Sequence, residues 1–566
     1  MANICKHLKG RRVLQICLLA TGLVIFAVFY NKTRLLLPED DIEGGSDYFD
    51  TRGYAKADQH VNFNKETSSD KSANKLKEAL GSHRIVHLDL KGAVPKVSYF
   101  SQLFPFIRKL GGTGILIEYE DTFPFHSADI AGGHAYSRND IEEILRYANE
   151  SQLTVIPLIQ TFGHLEFALK LESYKHLRES QKYPQAICPS KNESIKFLYN
   201  MIDEVIELHK GVEYLHIGCD EVYQLGLCQD CQTKLLAESW SPQELFLDHV
   251  SRMAKYIKQK YPSVNVLIWD DELRNIPLEL LTSWKLGHLV EPVIWKYTGD
   301  VEADLHEEIW RKYAKLFSRM WFATAFKGAK SPDAITNSIS LYLENHRSWV
   351  KLIKKYSKTL KFRGGILTGW QRYDHFSVLC ELLPVSIPSL AVNLIYLGSD
   401  SKSDLVELTS IAQTMCRCDS NPVLTLNNYL VHCVFPGSRL FHAVSHLSQV
   451  FDQIDVLKKS SPYKGWLTLY NRNRSFSAPS HVEEASNELI NLYSDVLSLE
   501  RDIEEAMDSI YKADTFVEWS STYIQPVKDE LKAVVQARDR LLAVDSWPKR
   551  PLDCVEDLLS GITVST

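Results

Sequence analysis

Eight short apolar, β-rich runs alternate with amphipathic helical stretches between residues 84 and 373, and no glycine-rich phosphate loop follows an early run. Near-continuous apolar strands, each followed by a helix, make a parallel sheet buried on both faces. The sequence therefore predicts an α/β fold, a (β/α)8 TIM barrel rather than an open doubly wound sheet. A membrane anchor is expected before the barrel and a helical region after it. The expected organisation is a cytosolic tail (1–12), a transmembrane signal anchor (13–30), a stem (31–82), the barrel (83–400) and the C-terminal helical region (401–566).

Val13 to Tyr30 is an uncharged apolar run of 18 residues, at the short end of what spans a bilayer. Lys6, Lys9, Arg11 and Arg12 precede it, while Lys32 and Arg34 follow, then Glu39, Asp40 and Asp41. Positive charge stays in the cytosol, so a single-pass type II topology with a lumenal body is expected, in the Golgi or elsewhere in the secretory pathway. A cleaved signal peptide competes, but the run is longer than a usual signal core. The sequons at Asn31, Asn149, Asn192 and Asn473 agree with lumenal exposure. Residues 31–82 are polar, with Gly44-Gly45 and a lysine-rich end, and read as a flexible stem closing in a short helix.

The expected strands are RIVHLDL (84–90), GILIEYE (114–120), TVIPLIQ (154–160), EYLHIGCDE (213–221), NVLIWDDE (265–272), HLVEPVIWKY (288–297), RMWFATAFK (319–327) and GGILTGWQRY (364–373). Amphipathic spacing predicts helices over Asn139–Asn149, Glu193–Leu208 and Gln243–Lys260. Beyond residue 400, Gln449–Lys459 and His481–Ala543 have helical period, the latter as two long helices in a hairpin broken near Pro526. This region reads as a structural cover over the barrel. The alternative is an oligomerisation surface, which would make a homodimer.

The formal net charge is −7 and no basic stripe lies beyond the N-terminus, so nucleic acid is not expected as a partner. Cys228 and Cys231 form a CxxC, but a zinc site would need a second close pair, and Cys416-x-Cys418 is poorly spaced for one. The CxxC reads as a local disulfide or free thiols; no metal and no cofactor are expected.

In a barrel, chemistry sits at the C-terminal strand ends. Here those ends carry Asp89 and Lys91, then Glu118, Glu120 and Asp121, then Gln160 and His164, then Asp220 and Glu221. Trp269, Asp270 and Asp271 end the fifth strand, Trp295 and Tyr297 the sixth, and Trp370, Tyr373 and Asp374 the eighth. One polar strand end is a cap; carboxylates converging with three tryptophans make a pocket for a sugar. Carboxylates bind hydroxyls, indole faces pack on pyranose rings, and paired carboxylates equip glycoside hydrolysis. Neighbours on a strand point to opposite sides, so Asp220 and Glu221 cannot face each other across the scissile bond. Substrate-assisted cleavage gives them separate tasks: Glu221 is the general acid, and Asp220 orients the substrate's own 2-acetamido group. Asp220 is then expected to stay ionised and to raise the pKa of Glu221. Asp270-Asp271 is the alternative pair. A sugar-binding protein without turnover and a type II glycosyltransferase are the competing functions; the latter usually needs a nucleotide-sugar site and a metal-binding DxD, neither of which is evident.

HIGCDEV (216–222) resembles the H-x-G-G/A/C-D-E signature of glycoside hydrolase family 20, the β-N-acetylhexosaminidases, and VIPLIQTFGHLE (155–166) resembles its I-P-E-I-D-x-P-G-H stretch. HLDLKGAVPKVSYF (87–100), LIEYEDTFPF (116–125) and ILTGWQRYDHFSVLCELLP (366–384) look closer still to one group within that family, and the resemblance covers roughly residues 83–400. It implies an exo-acting, retaining hydrolase that removes terminal β-linked N-acetylgalactosamine or N-acetylglucosamine from glycans or glycoconjugates. It implies Asp220 as the acetamido-orienting carboxylate, Glu221 as acid/base, and Trp269, Trp295 and Trp370 around the sugar, with His164 matching the family's Gly-His pair. Three departures stand out. The family's Asp before x-P-G-H is Gln160; its strand-1 Arg has no match in Asp89-Leu90-Lys91-Gly92; and its strand-7 Tyr is replaced by Phe326-Lys327, leaving Tyr297 or Tyr373 for that role. The closer group implies a galactosaminide preference and a nucleocytoplasmic alternative to the anchored location.

Overall fold

The apolar runs form eight parallel strands that close into a barrel in sequence order. They are β1 (His83–Asp89), β2 (Gly114–Glu118), β3 (Thr154–Leu158), β4 (Tyr214–His216), β5 (Asn265–Trp269), β6 (Glu291–Trp295), β7 (Met320–Lys327) and β8 (Phe362–Gly369). Closure comes from β1 pairing with β8, Val86 opposite Leu367, and it leaves no sheet edge to protect. This computed structural model describes residues 78–127, 129–399, 405–419, 432–550 and 552. The expected tail, anchor and all but the last residues of the stem lie outside the described residues. Among the described residues, no helix is long and apolar enough to cross a membrane.

Most strands stop sooner than their apolar runs. The largest difference is β4, which ends at His216 rather than at the acids. Gly218, Cys219 and Glu221 have φ of 67°, 71° and 48°, which turn the chain out of extended backbone. Strand alternation therefore does not separate Asp220 from Glu221; a left-handed turn does.

Side chains pointing inward, among them Ile85, Leu116, Ile156, Leu267, Val293 and Ile366, fill the barrel. Tyr214 and Trp321 meet edge to face at 5.3 Å near its base. Glu291 ties that end together, accepting from Trp321 Nε1 (3.0 Å) and pairing with Arg363 Nη2 (2.6 Å). The N-terminal end is thus plugged by packing, and the open space lies at the strands' C-terminal ends.

Around the barrel run α1 (Val97–Lys109), α2 (Arg138–Glu150), α3 (Asn192–Leu208), α4 (Gln229–Glu238), α5 (Pro242–Lys260), α6 (Leu278–Ser283), α7 (Glu307–Leu316), α8 (Ile339–Tyr356) and α9 (Ile387–Gly398). Their starts are written in the sequence. Ser137 with Asp140, and Ser241 with Glu244, form capping boxes, and Pro242 occupies the first turn of α5. α2 buries Ile141, Ile144 and Ala148, one stripe against the sheet.

The C-terminal region contributes α10 (Ser438–Lys459), α11 (Leu489–Asp508), α12 (Ala513–Tyr523) and α13 (Gln525–Leu542). The expected two-helix hairpin is replaced because the chain leaves α11 to bond the barrel. Tyr511 pairs antiparallel with Pro95, Lys96 N–H donates to the Ile510 carbonyl (2.6 Å), and Lys512 N–H donates to the Val94 carbonyl (3.1 Å). α12 then lies at the barrel mouth, where Tyr523 donates to the Leu379 carbonyl (2.6 Å) and Glu518 pairs with Arg372. Barrel and helices belong to one compact unit, Glu66–Thr566.

Trp321→Ala removes a fully buried indole at the barrel base and is expected to lower the unfolding free energy by about 3–5 kcal/mol in denaturant titration. Val456→Ala on the exposed side of α10 is expected to change it by about 0.5 kcal/mol or less.

Candidate active site

The barrel mouth holds a cavity of ≈ 240 Å³ lined by Lys91, Glu118, Gln160, His164, Asp220, Glu221, Trp269, Trp295, Tyr297, Trp370, Arg372 and Tyr373, among others. Of the residues expected at a site, Asp220, Glu221, His164, Trp269, Trp295, Tyr297, Trp370, Tyr373 and Glu118 come together here. Two do not line it. Asp89 sits beside it, accepting from Gln371 N–H (2.7 Å) and pairing with Lys91 Nζ (3.0 Å), so it holds the lysine. Asp374 is exposed and caps a turn, accepting from Phe376 and Ser377 N–H at 2.8 and 2.9 Å. Its short side chain follows the strand end by too many residues to reach back. Arg372, which sequence reasoning passed over, was legible as a cation at a strand end among acids.

Glu221 has an unusual backbone for a non-glycine residue, and left-handed φ costs about 1–3 kcal/mol unless neighbours enforce it. They do. Its N–H donates to Asp271 Oδ2 (2.9 Å), and its carbonyl accepts from Gln185 Nε2 (2.7 Å). The next amide, of Val222, donates to Glu272 Oε1 (2.9 Å). Asp271 is itself anchored by Trp295 Nε1 (3.0 Å). Asp270 is buried and gripped by Arg274 through both oxygens, with Tyr313 donating at 3.0 Å. Asp270-Asp271 is therefore a support under the Glu221 turn; neither residue lines the cavity. Gly218 completes the turn: a Cβ there would lie 1.8 Å from Gln160 Oε1.

His164 Nε2 bridges the two acids, 3.5 Å from Asp220 Oδ2 and 3.2 Å from Glu221 Oε2. Burial opposes its charge, but Asp220 and Glu221 outweigh burial and raise its pKa to about 10. Burial, with Asp271 and Glu118 nearby, pushes Asp220 up to about 7 against the pull of His164. Glu221 is held below its ordinary value by its hydrogen bond to His164. This reverses the expected order: the deeper acid carries the raised pKa, because desolvation outweighs adjacency. On the opposite wall, Lys91 stays charged despite burial because Asp89, Glu118 and Glu120 surround it, and its Nζ lies 5.2 Å from the Trp370 ring centre.

Asp220 Oδ1, Gln160 Oε1 and Trp269 Nε1 are buried and find no hydrogen-bond partner among the described residues. They are two acceptors and one donor grouped at one cavity.

A second constellation lies beside the site. The CxxC is not a disulfide: Cys228 and Cys231 are free thiols. Cys188 and Glu179, from the loop after β3, join them, all four ligand atoms lying within 4.8 Å of one another. The sequence reading missed this grouping because its members lie in a loop and at the start of α4, which only the fold brings together.

Residues 112–306 match the glycosyl hydrolase family 20 catalytic domain. The chain is 38% identical over 478 residues to hexosaminidase D of Homo sapiens, covering 83% of this chain and 96% of that protein. It is 50% identical over 317 residues to hexosaminidase D of Bos taurus, covering 55% of this chain and 90% of that protein. Among solved structures, the β-N-acetylhexosaminidase from Bacteroides fragilis NCTC 9343 is similar with a TM-score of 0.45 and 18% identity, covering 59% of this chain and 70% of that one.

Asp271→Ala strands the Glu221 and Trp295 N–H donors, at about 1–3 kcal/mol each. Faster hydrogen exchange at the Glu221 amide is the expected signature. Asp270→Ala leaves a largely buried Arg274 unpaired and is expected to cost about 3–5 kcal/mol of global stability.

Proposed function

Because the chain belongs to glycoside hydrolase family 20 and is a β-N-acetylhexosaminidase, we propose that it is exo-acting and retaining, releasing terminal β-linked N-acetylgalactosamine or N-acetylglucosamine by substrate-assisted catalysis. The observation that carries this reading is the unpartnered Asp220 Oδ1, a buried acceptor in a cavity walled by tryptophan. A 2-acetamido N–H supplies the missing donor. A cavity of ≈ 240 Å³ suits a single terminal sugar ring. Tyr297, whose hydroxyl meets Trp370 Nε1 at 3.1 Å, and Tyr373 at the rim flank the place of the acetamido oxygen.

Glu221 donates its proton to the glycosidic oxygen as the acetamido oxygen attacks the anomeric carbon and the glycosidic bond breaks. Asp220, ionised, accepts from the amide N–H and offsets the positive charge of the oxazolinium. Glu221, now a carboxylate, takes a proton from the water that opens that ring from the face the aglycone left, so configuration is retained. The productive form thus has one proton on the Asp220–Glu221 pair. In the free protein that proton favours Asp220. An amide N–H on Oδ1 favours ionised Asp220 and moves the proton to Glu221.

Lys91, the cation next to Glu118 and Trp370, is the proposed replacement for the family's strand-1 arginine. The galactosaminide preference remains part of this proposal. So does a type II Golgi location with a lumenal barrel, supported by the apolar run Val13–Tyr30 and by three sequon asparagines, Asn149, Asn192 and Asn473, that are exposed.

Glu221→Gln is expected to lower kcat on an aryl β-N-acetylgalactosaminide by about 10²–10⁴-fold, and ¹H NMR of the first product is expected to show the β anomer. Folded wild-type protein that cleaves neither hexosaminide, or that releases the α anomer, sinks the reading. The pH profile gives a second check. kcat/KM should fall above about 7, where the pair loses its proton, and again below the ordinary glutamate range, where it gains a second. His164→Asn removes the cation that lowers both acids, so both limbs are expected to move to higher pH.

A further inference from the structure

We propose that Glu179, Cys188, Cys228 and Cys231 form a tetrahedral zinc site that staples the loop carrying His164 to the loop carrying Glu221. Glu179 and Cys188 come from the loop after β3, and Cys228 and Cys231 from the cap and first turn of α4; Glu179, Cys188 and Cys231 are buried, with Leu245 packed against the sulfurs.

The distances fit a metal better than the alternatives. Cys188 Sγ lies 3.2 Å from Cys228 Sγ and 3.5 Å from Cys231 Sγ, and Glu179 Oε2 lies 3.0 Å from Cys231 Sγ. A disulfide needs about 2.05 Å. A tetrahedron with Zn–S bonds of about 2.3 Å sets its sulfurs about 3.8 Å apart, a small expansion of what is present. Without a cation the cluster is awkward: a buried carboxylate faces three thiols. A soft thiolate set with one carboxylate and four-fold geometry selects zinc among common divalent ions.

The surroundings are built for the negative charge that three thiolates and a carboxylate leave around a dication. Cys228 caps the N-terminus of α4, and the Cys231 N–H points back at Cys228 Sγ (3.4 Å). Ser190 Oγ donates to Cys231 Sγ at 3.1 Å. Glu179 spends Oε1 on the amides of Leu227 (2.6 Å) and Cys228 (3.0 Å), which aims Oε2 at the sulfurs. On binding, the three thiols release their protons to solvent.

The staple reaches the catalytic turn in one step. The same loop that supplies Glu179 and Cys188 carries Gln185, which holds the Glu221 carbonyl at 2.7 Å and accepts the Leu165 amide, next to His164, at 3.0 Å. The zinc residues touch neither reacting atoms nor cavity, so theirs is a positioning role.

The test is metal analysis of the full-length protein, purified in detergent without added metal. One zinc per chain is expected, with an X-ray absorption spectrum fitting three sulfur and one oxygen or nitrogen scatterer. Cys188→Ser and Glu179→Gln are expected to lower zinc affinity at least about tenfold in chelator competition. Chelator-stripped wild type should melt at lower temperature and recover with zinc but not magnesium, a readout independent of turnover. Wild-type protein that carries no metal, takes up none from a zinc solution, or shows Cys228 in a disulfide by nonreducing peptide mapping overturns the proposal. Because the wild-type chain is measured directly, a variant that fails to fold does not decide the question.

Discussion

Carboxylates crowded into a dry barrel mouth impose the constraint from which the rest of this structure follows. Glu118, Glu120, Asp220, Asp270 and Asp271 are each buried or nearly so, and unpaired charge in such a place is expensive. Each therefore has a counterpart. Lys91 sits among Asp89, Glu118 and Glu120; Arg274 clasps Asp270; backbone and indole N–H groups take Asp271; His164 stands between Asp220 and Glu221. Among these five carboxylates, the oxygen left without a partner is Asp220 Oδ1, beside the unpartnered Gln160 Oε1 and Trp269 Nε1. Three unsatisfied polar atoms grouped at one cavity mark where groups from outside belong.

The barrel was legible because its signal is local and repeated: eight apolar strands alternating with amphipathic stretches. The pocket was legible because barrels put chemistry at one end. What escaped is what depends on three-dimensional neighbours. That Asp271 supports Glu221 requires two strand ends to meet, and no spacing between residues 221 and 271 says so. The order of the acid pKa values was misread for the same reason, since adjacency in sequence shows repulsion but not desolvation. The cysteine cluster is the clearest case. Its pair at 228 and 231 is a local pattern, but Cys188 and Glu179 arrive from another loop.

Several residues around the cavity have strained backbone. Glu120, His164, Cys219 and Glu221 all take left-handed backbone, and all lie at or next to the cavity. Such conformations persist only where surrounding contacts leave no alternative. Here the contacts are specific: an aspartate under one amide, a glutamine on one carbonyl, a glycine where a side chain would strike Gln160. The rigid sheet supplies the platform, and these bonds supply the last fraction of an ångström.

The pairing of Arg372 with Glu518 has a consequence for how such enzymes diversify. One wall of the pocket is drawn from a strand end, and the group that holds it comes from a helix far along the chain. The shape of the pocket thus depends on a seam between two segments far apart in the sequence. A barrel grafted from a relative would arrive without the partner that holds its arginine.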